Sequence, residues 1–371
     1  MEAHENSPEK SGITTGSVAT AASLAALLKL TDKAPEVVEI RTPITKLNVK
    51  IEKSKVIDDK TAQASVIKPT YNDPDVTRGI EIISEVTLTD NSGFVEITAG
   101  EGVGVVTKPG LQIPVGEYAI NPTPRSMIKE NLKRYLPEGR GVIVKIIIPE
   151  GRAIAPKTMN SRLGIMDGIS VLGTTGVARP MSSKAYKDSL RVQIDVAVAN
   201  GYRDLLFVPG NIGTNIAKEN LEVEDDAIIE MSNFVGFMLD EADKESGSID
   251  SITIFGHAGK LIKIAAGIFN TKQSVADARR EIMACYSALC GADTKTVCDI
   301  FACITTEDVI KILDKNNLTD KVFTLIADEI VKLCELKYNI KFYVTIVKMN
   351  GDILTKDHAK QIPFKWKTTE E

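Results

Sequence analysis

The stretch Asp204–Gly213, DLLFVPGNIG, decides the fold because an apolar run there ends in a glycine-containing turn. Ser251–Gly259, SITIFGHAG, repeats this arrangement, and Ile169–Leu172 with Gly173–Gly176 behind it has the same form. A helical pattern follows each turn, and short apolar runs that alternate with helices predict a parallel sheet. We therefore predict a Rossmann-like, doubly wound α/β domain in the second half of the chain.

Each of these predicted strands ends in a GxxG turn. In an open parallel sheet, ligands lie outside the carboxyl ends of the strands. Glycine lets the backbone approach a ligand there, and helix N-termini present free N–H groups to an anion. We interpret the three turns as one crevice for a small cofactor. The residues assigned to cofactor binding are Gly173, Thr174, Thr175, Gly176, Gly210, Asn211, Gly213, Gly256 and Gly259.

The residues around the turns narrow the class of ligand. Leu261, after Lys260, stands where a P-loop has Ser or Thr, and Ile254 stands where a P-loop has its first Gly. No GxGxxG follows the first strand, and Asp204 opens its strand instead of closing it as a ribose-binding acid does. A P-loop and a standard NAD site are therefore disfavoured. A small nucleoside-like cofactor or an acidic substrate remains.

His257 lies inside the third turn and is the tentative catalytic residue. It could contact the substrate or accept a proton from it. A lone histidine at the end of a strand also serves structural purposes, and the sequence leaves both roles open.

The first half groups its strands together, which predicts an α+β domain. Small residues predict a helix that reaches about Leu30, with Thr14, Thr15 or Ser17 as its cap. Period-two strands follow from Val37, and a second helix is predicted near Pro124. We expect a flexible N-terminus over residues 1–10, the α+β domain over 11–150, and the Rossmann-like domain over 151–371 with extra C-terminal helices. Pro149–Arg162 is the predicted boundary.

Composition excludes several classes of protein. The net charge of −5 and the 5% of aromatic residues are atypical of proteins that bind nucleic acid. Three scattered histidines and five cysteines without a CxxC pair predict no protein-bound metal and a reduced, cytoplasmic chain. No apolar stretch reaches the length that crosses a bilayer, so we expect no membrane contact.

Several longer blocks resemble the CbiD family, the cobalt-precorrin-5B C(1)-methyltransferases of anaerobic cobalamin biosynthesis. The resemblance runs from about Ser11 to Ala276, with the motifs in the family's order. The blocks are Ser11–Gly16 (SGITTG), Asp73–Thr77, Gly104–Pro114, Ala119–Arg125 (AINPTPR), Asn160–Gly176, Arg179–Met181 and Gly256–Lys260.

The resemblance implies transfer of a methyl group from S-adenosyl-L-methionine to carbon 1 of a corrinoid, which gives cobalt-precorrin-6A. The cobalt would arrive with this small-molecule substrate. The corrinoid carries many carboxylates, so cationic side chains and helix N-termini should bind it. The residues assigned to substrate binding are Thr14, Thr15, Asp73, Asp75, Lys108, Arg125, Arg162, Arg179 and Lys260.

Two other functions stay open at this point. A non-catalytic protein that binds a corrinoid intermediate would not need the methyl donor, and a nucleotide-dependent enzyme would use the crevice for ATP or NAD. A homo-oligomer, or contact with neighbouring pathway enzymes, is compatible with the sequence.

Overall fold

The computed structural model describes residues 12–31, 33–71, 75–178 and 183–367. The chain divides into two compact units, Met1–Ser183 and Lys184–Glu371. The division falls after Ser183, later in the chain than the predicted boundary at residue 150. The cause is a backbone contact between glycines that is described below. The flexibility expected of residues 1–10 concerns a segment outside the described residues.

In the first unit a largely antiparallel sheet and short strand pairs accompany three helices in the described part of the chain. The helices are α1 (Thr15–Leu30), α2 (Pro122–Lys133) and α3 (Gly151–Ile154). The strands are β1 (Gly12–Ile13), β2 (Val37–Arg41), β3 (Lys46–Lys50), β4 (Lys53–Asp58), β5 (Thr61–Ile67), β6 (Glu81–Thr89), β7 (Val95–Ala99), β8 (Gly102–Val103), β9 (Val105–Val106), β10 (Gly141–Ile147), β11 (Ile165–Met166), β12 (Gly168–Ile169) and β13 (Val177–Ala178).

Helix α1 is buried on all sides, as its run of alanines, serines and leucines predicts. Thr14 is its N-cap, and its hydroxyl accepts the N–H of Ser17 at 3.2 Å. The helix packs on strands β5 and β6 of a five-stranded sheet ordered β4-β5-β6-β10-β7. Small residues let helix and sheet approach closely, and the Ser23 and Ser84 hydroxyls meet at 2.9 Å between them.

A contact between glycines joins residues 151–178 to the first unit. Gly102 has φ +74°, and a Cβ atom there would overlap the carbonyl oxygen of Ile148. Cβ atoms at Gly151 or Gly168 would overlap the carbonyl of Gly102 in turn. Strand β12 also pairs with β8, Gly168 opposite Gly102. The glycine-rich stretch near residue 102 therefore serves close backbone packing, and residues 151–178 belong to the first unit.

The second unit alternates strands and helices. The helices are α4 (Ser183–Ala199), α5 (Asn211–Asn220), α6 (Val235–Asp243), α7 (Ala258–Leu261), α8 (Arg279–Leu289), α9 (Thr294–Ala302), α10 (Thr306–Lys315), α11 (Thr319–Lys337) and α12 (Lys356–Ala359). The strands are β14 (Asp204–Val208), β15 (Leu221–Glu222), β16 (Ile228–Glu230), β17 (Ser251–His257), β18 (Lys341–Val347) and β19 (Lys365–Trp366).

Strands β16, β14, β17 and β18 form, in this order, a sheet in which every neighbouring pair is parallel. Successive residues of β14 face opposite sides of it. Leu205 and Phe207 belong to one apolar cluster, with α4, α6 and α11, whereas Leu206 and Val208 belong to another, with α5. Both faces are covered, as a continuous apolar strand requires. The predicted mixture of helices with a parallel sheet is confirmed.

Two helices of the second unit begin within their GxxG turns. Helix α5 starts at Asn211, directly after its N-cap Gly210. Helix α7 is one turn long and continues as a 3₁₀ helix over Ile262–Ala266. In the part of the chain that the structure describes, no helix combines the length and apolarity needed to span a membrane.

Candidate functional site

The order of the parallel strands creates a crevice between β14 and β17. From β14 the chain crosses through α5 to β16 on one side, and from β16 it returns through α6 to β17 on the other side. The connections after β14 and β17 therefore leave in opposite directions. Such a switch point opens a ligand crevice outside the carboxyl ends of the two strands.

The second and third GxxG turns meet at this switch point. They line a cleft of about 320 Å³, and Ile212 and Met349, both about half exposed, add apolar surface. The predicted convergence of these two turns agrees with the structure. The lining residues are Pro209, Gly210, Asn211, Ile212, Gly213, His257, Lys260 and Met349.

Glycine is required at two positions of this crevice. Gly210 has φ +143° and Gly256 has φ +154°, which other residues rarely adopt. A Cβ atom at Gly256 would also lie 2.7 Å from Cδ of Pro209. Gly256 therefore lets the ends of β14 and β17 approach each other, and Gly210 supplies the backbone conformation from which α5 starts.

The N-terminus of α5 faces the crevice without a side-chain cap from any described residue, because its N-cap is Gly210. In the same turn, the hydroxyl of Thr214 is buried and has no hydrogen-bond partner among the described residues. A free helix N-terminus carries a partial positive charge. This end of the crevice suits a carboxylate or another acceptor group.

Lys260 adds a full positive charge. Its ammonium donates to the carbonyl oxygen of Pro209 at 3.1 Å, so it links the third turn to the end of β14. Burial lowers the pKa of Lys260, and the nearby Glu230 carboxylate raises it in part. A partly buried cation of this kind favours an anionic ligand.

Glu230 is a functional candidate that the sequence prediction missed. It closes β16, and a Cβ atom at Gly210 would lie 3.5 Å from its Oε1 atom. A ribose-binding acid closes its strand, which Asp204 does not do in β14, whereas Glu230 is the last residue of β16. The spacing in the sequence could have identified Glu230, because an acid about 20 residues after the glycine turn is typical of ribose recognition.

His257 is held by hydrogen bonds at both ring nitrogens. Nδ1 accepts the backbone N–H of Gly259 at 3.2 Å, and Nε2 lies 2.9 Å from Oε1 of Glu307. The side chain is the N-cap of α7. In this arrangement neither nitrogen is available to accept a proton from a substrate, so the geometry favours the structural role over the tentative catalytic one.

The first GxxG turn, Gly173–Gly176, does not follow a strand of the parallel sheet, which corrects the prediction that all three turns end strands of one sheet. It lies in the first unit, and the residues before it form no strand of the parallel sheet. Ser17 donates to the carbonyl of Gly176 at 2.7 Å, and Thr15 exchanges hydrogen bonds with Leu172. The turn, with Thr174 and Thr175, wraps the start of α1, where Thr14 is already the cap.

Two residues assigned to substrate binding have internal partners instead. The guanidinium of Arg125 donates to the carbonyls of Ile120 at 2.8 Å and Ile97 at 3.3 Å. Asp75 accepts from Lys68 at 2.5 Å and from Thr77 at 2.7 Å. Both side chains fasten loops of the first unit, so the structure does not support a role for them in binding carboxylates.

The remaining cationic candidates lie in the first unit. Lys108 and Arg162 are half-buried, and the stem of Lys108 lies over Gly164, beside the turn that carries Arg162. Asp73 and Arg179 lie outside the described residues. Across the described ranges, no group of three or more His, Cys, Asp and Glu side chains could hold a metal ion.

Comparisons with known proteins connect both units to one family. Residues 2–180 match the family model described as CbiD, and residues 270–358 match CbiD, C-terminal domain. A cobalt-precorrin-5B C(1)-methyltransferase of Methanosphaera stadtmanae is 74% identical over 99% of this chain and 97% of its own length. The protein of the same name from Methanobrevibacter smithii is 51% identical over 94% of this chain and 97% of its own length.

A crystal structure of cobalamin biosynthesis protein (cbiD) from Archaeoglobus fulgidus is 28% identical. The similarity covers 72% of this chain and 84% of that one, with a TM-score of 0.37. The family models and the identities over nearly the whole chain confirm the resemblance read from the sequence: the protein belongs to the CbiD family.

Proposed function

We propose that this chain methylates carbon 1 of cobalt-precorrin-5B with S-adenosylmethionine, which gives cobalt-precorrin-6A in anaerobic cobalamin biosynthesis. The names of relatives that match it over nearly their whole length support the reaction. The observation that carries the methyl donor is the crevice at the switch point of the parallel sheet. On this proposal the second unit is a Rossmann-like nucleoside-binding domain.

The groups around the crevice match the two polar ends of S-adenosylmethionine. Glu230 beside Gly210 is placed to accept hydrogen bonds from the ribose hydroxyls. Lys260 and the uncapped start of α5 are placed to bind the carboxylate of the methionine part. The sequence analysis had assigned Lys260 to the corrinoid substrate, whereas this proposal assigns it to the methyl donor.

When bound, S-adenosylmethionine supplies an electrophilic methyl group on a sulfonium. The chain's contribution is to hold the donor and the attacked carbon in line and to exclude water. Ile212 and Met349 provide apolar surface in the lining of the crevice for this purpose. No nucleophilic side chain is needed, since the electron-rich ring carbon is the nucleophile.

The corrinoid carboxylates need cations, and we propose that Lys108 and Arg162 supply two of them. They lie on neighbouring segments of the first unit, because the stem of Lys108 lies over Gly164, two residues after Arg162. Arg179 and Asp73 keep the roles that the family resemblance implies.

Replacing Lys260 by Ala should weaken the binding of S-adenosylhomocysteine by about ten- to a hundredfold, because a charge-assisted hydrogen bond to the carboxylate is lost. Isothermal titration measures this constant. The matched control is Lys218→Ala on α5, whose ammonium bonds to Asp225 at 2.6 Å, and it should bind as the wild type does.

Equal affinities of the Lys260→Ala and wild-type proteins would overturn the placement of the donor. A wild-type chain that binds the corrinoid, but not S-adenosylhomocysteine, would instead be a carrier of the intermediate. The transfer itself is tested by incubating the chain with both substrates and detecting the methylated corrinoid by mass spectrometry.

A further inference from the structure

Glu307 connects the helical C-terminal part of the chain to the crevice. It lies in the first turn of α10, and its Oε1 atom is 2.9 Å from Nε2 of His257. The same oxygen accepts the N–H of Met349 at 3.4 Å, just after β18. One carboxylate oxygen therefore contacts the end of β17 and the segment that follows β18.

The hydrogen bonds determine which nitrogen of His257 carries the proton. The backbone N–H of Gly259 can only donate, so Nδ1, which faces it at 3.2 Å, must have a free lone pair. In the neutral ring the proton is then on Nε2, which donates to Glu307. A carboxylate at this place stabilises this tautomer, because it accepts from Nε2–H and cannot donate to it.

We propose that Glu307 is a positioning residue: it fixes the Nε2–H tautomer of His257, which caps α7 and holds the Gly256–Lys260 turn in the form that lines the crevice. The proposal deepens the methyl-donor assignment above and rests on it. It also gives the C-terminal helices a role, since α10 brings Glu307 to the crevice from the region matched by the C-terminal family model.

The capping hydrogen bond is the connection to ligand binding. Without an acceptor at Nε2, the ring can rotate or protonate at Nδ1, and the N–H of Gly259 loses its partner. Lys260 follows directly, and its ammonium reaches the carbonyl of Pro209 only if the turn keeps its shape. A change at Glu307 should therefore reach the crevice through His257, without Glu307 touching the ligand.

Histidine NMR tests the tautomer independently of any ligand. The sequence has only His4, His257 and His358, so the ¹⁵N signals of His257 can be assigned with single substitutions. Wild type and Glu307→Gln, which keeps an oxygen acceptor, should show a fully Nε2–H ring. Glu307→Ala should show a mixture of the two tautomers. Asp250→Ala is the control: it removes an exposed carboxylate that bonds to Arg203 just before β17 begins, and it should leave the spectrum unchanged.

Titration with S-adenosylhomocysteine tests the consequence. The free energy of losing an N-cap corresponds to about a 2- to 30-fold change in an equilibrium constant. The dissociation constant of Glu307→Ala should therefore rise by that factor, and Glu307→Gln should have the wild-type affinity. An unchanged tautomer in Glu307→Ala, or a changed tautomer with unchanged affinity, would overturn the proposal. If the wild type fails to bind, the donor assignment fails, and the NMR result alone decides the role of Glu307.

Discussion

The Asp75→Asn variant is expected to lose about 3–5 kcal/mol of the unfolding free energy of the first unit. The ammonium of Lys68 lies 2.5 Å from the Asp75 carboxylate, and Lys68 is only 1% exposed. An amide at position 75 would leave this buried charge without a counterion. The cost of an unpaired buried charge exceeds that of losing an ordinary hydrogen bond.

The dependence on pH follows from the same contacts. Burial raises the pKa of Asp75, but hydrogen bonds from Lys68 and Thr77 outweigh it and lower the pKa from 3.8 to about 2. A lowered pKa stabilises the folded state above the unfolded value, and this stabilisation is lost as the pH falls through 2. The difference between wild type and variant should therefore shrink from about pH 4 downward.

Native-state hydrogen exchange in peptides of the first unit measures both effects, since the single tryptophan, Trp366, reports on the second unit. The control is Asp90→Asn, which removes an exposed ion pair with Arg140 in the first unit and should change protection little. Wild-type protection in the Asp75→Asn variant at neutral pH would show that Lys68 does not depend on this carboxylate.

The Gly102→Ala variant is expected to lose about 3 kcal/mol or more of the unfolding free energy of the first unit. The loss is the sum of overpacking and of backbone strain at positive φ. The added methyl group would meet the carbonyl of Ile148, which is backbone and cannot turn aside. Pairing of β12 with β8 should be lost first, so protection of residues 165–178 should fall more than that of β5 and β6.

The matched control for this variant is Gly93→Ala. Gly93 has φ +69°, close to that of Gly102, and nothing lies within 4 Å of the position of its Cβ atom. It isolates the cost of the backbone conformation, about 1 kcal/mol. Equal losses in both variants would contradict the steric explanation.

Local patterns were enough to predict much of the fold. The buried strand Asp204–Val208 coincides with β14, and the Ala-rich segment forms α1 with Thr14 as its cap. In both places the apolar period and the cap lie within one short stretch of sequence. The meeting of the second and third turns also followed, because parallel strands present their carboxyl ends at one edge.

Long-range contacts explain what was missed. The GxxG pattern does not distinguish Gly173–Gly176, which fits the start of α1, from turns that open a crevice. Pro149–Arg162 has the composition of a linker, but Gly151 packs against the Gly102 backbone. Glu307 follows its partner His257 by a long stretch of chain and belongs to no motif.

Strands near the two ends of the first unit pair with each other, which delays completion of this unit during synthesis on the ribosome. Strand β1 pairs with β13, Gly12 opposite Ala178, so the pairing must wait until the whole unit has been translated. At about 5–20 residues per second, this delay is roughly ten to thirty seconds. During that time α1, which is buried on all sides in the folded unit, lacks part of its cover, and transiently exposed apolar surface of this kind favours aggregation.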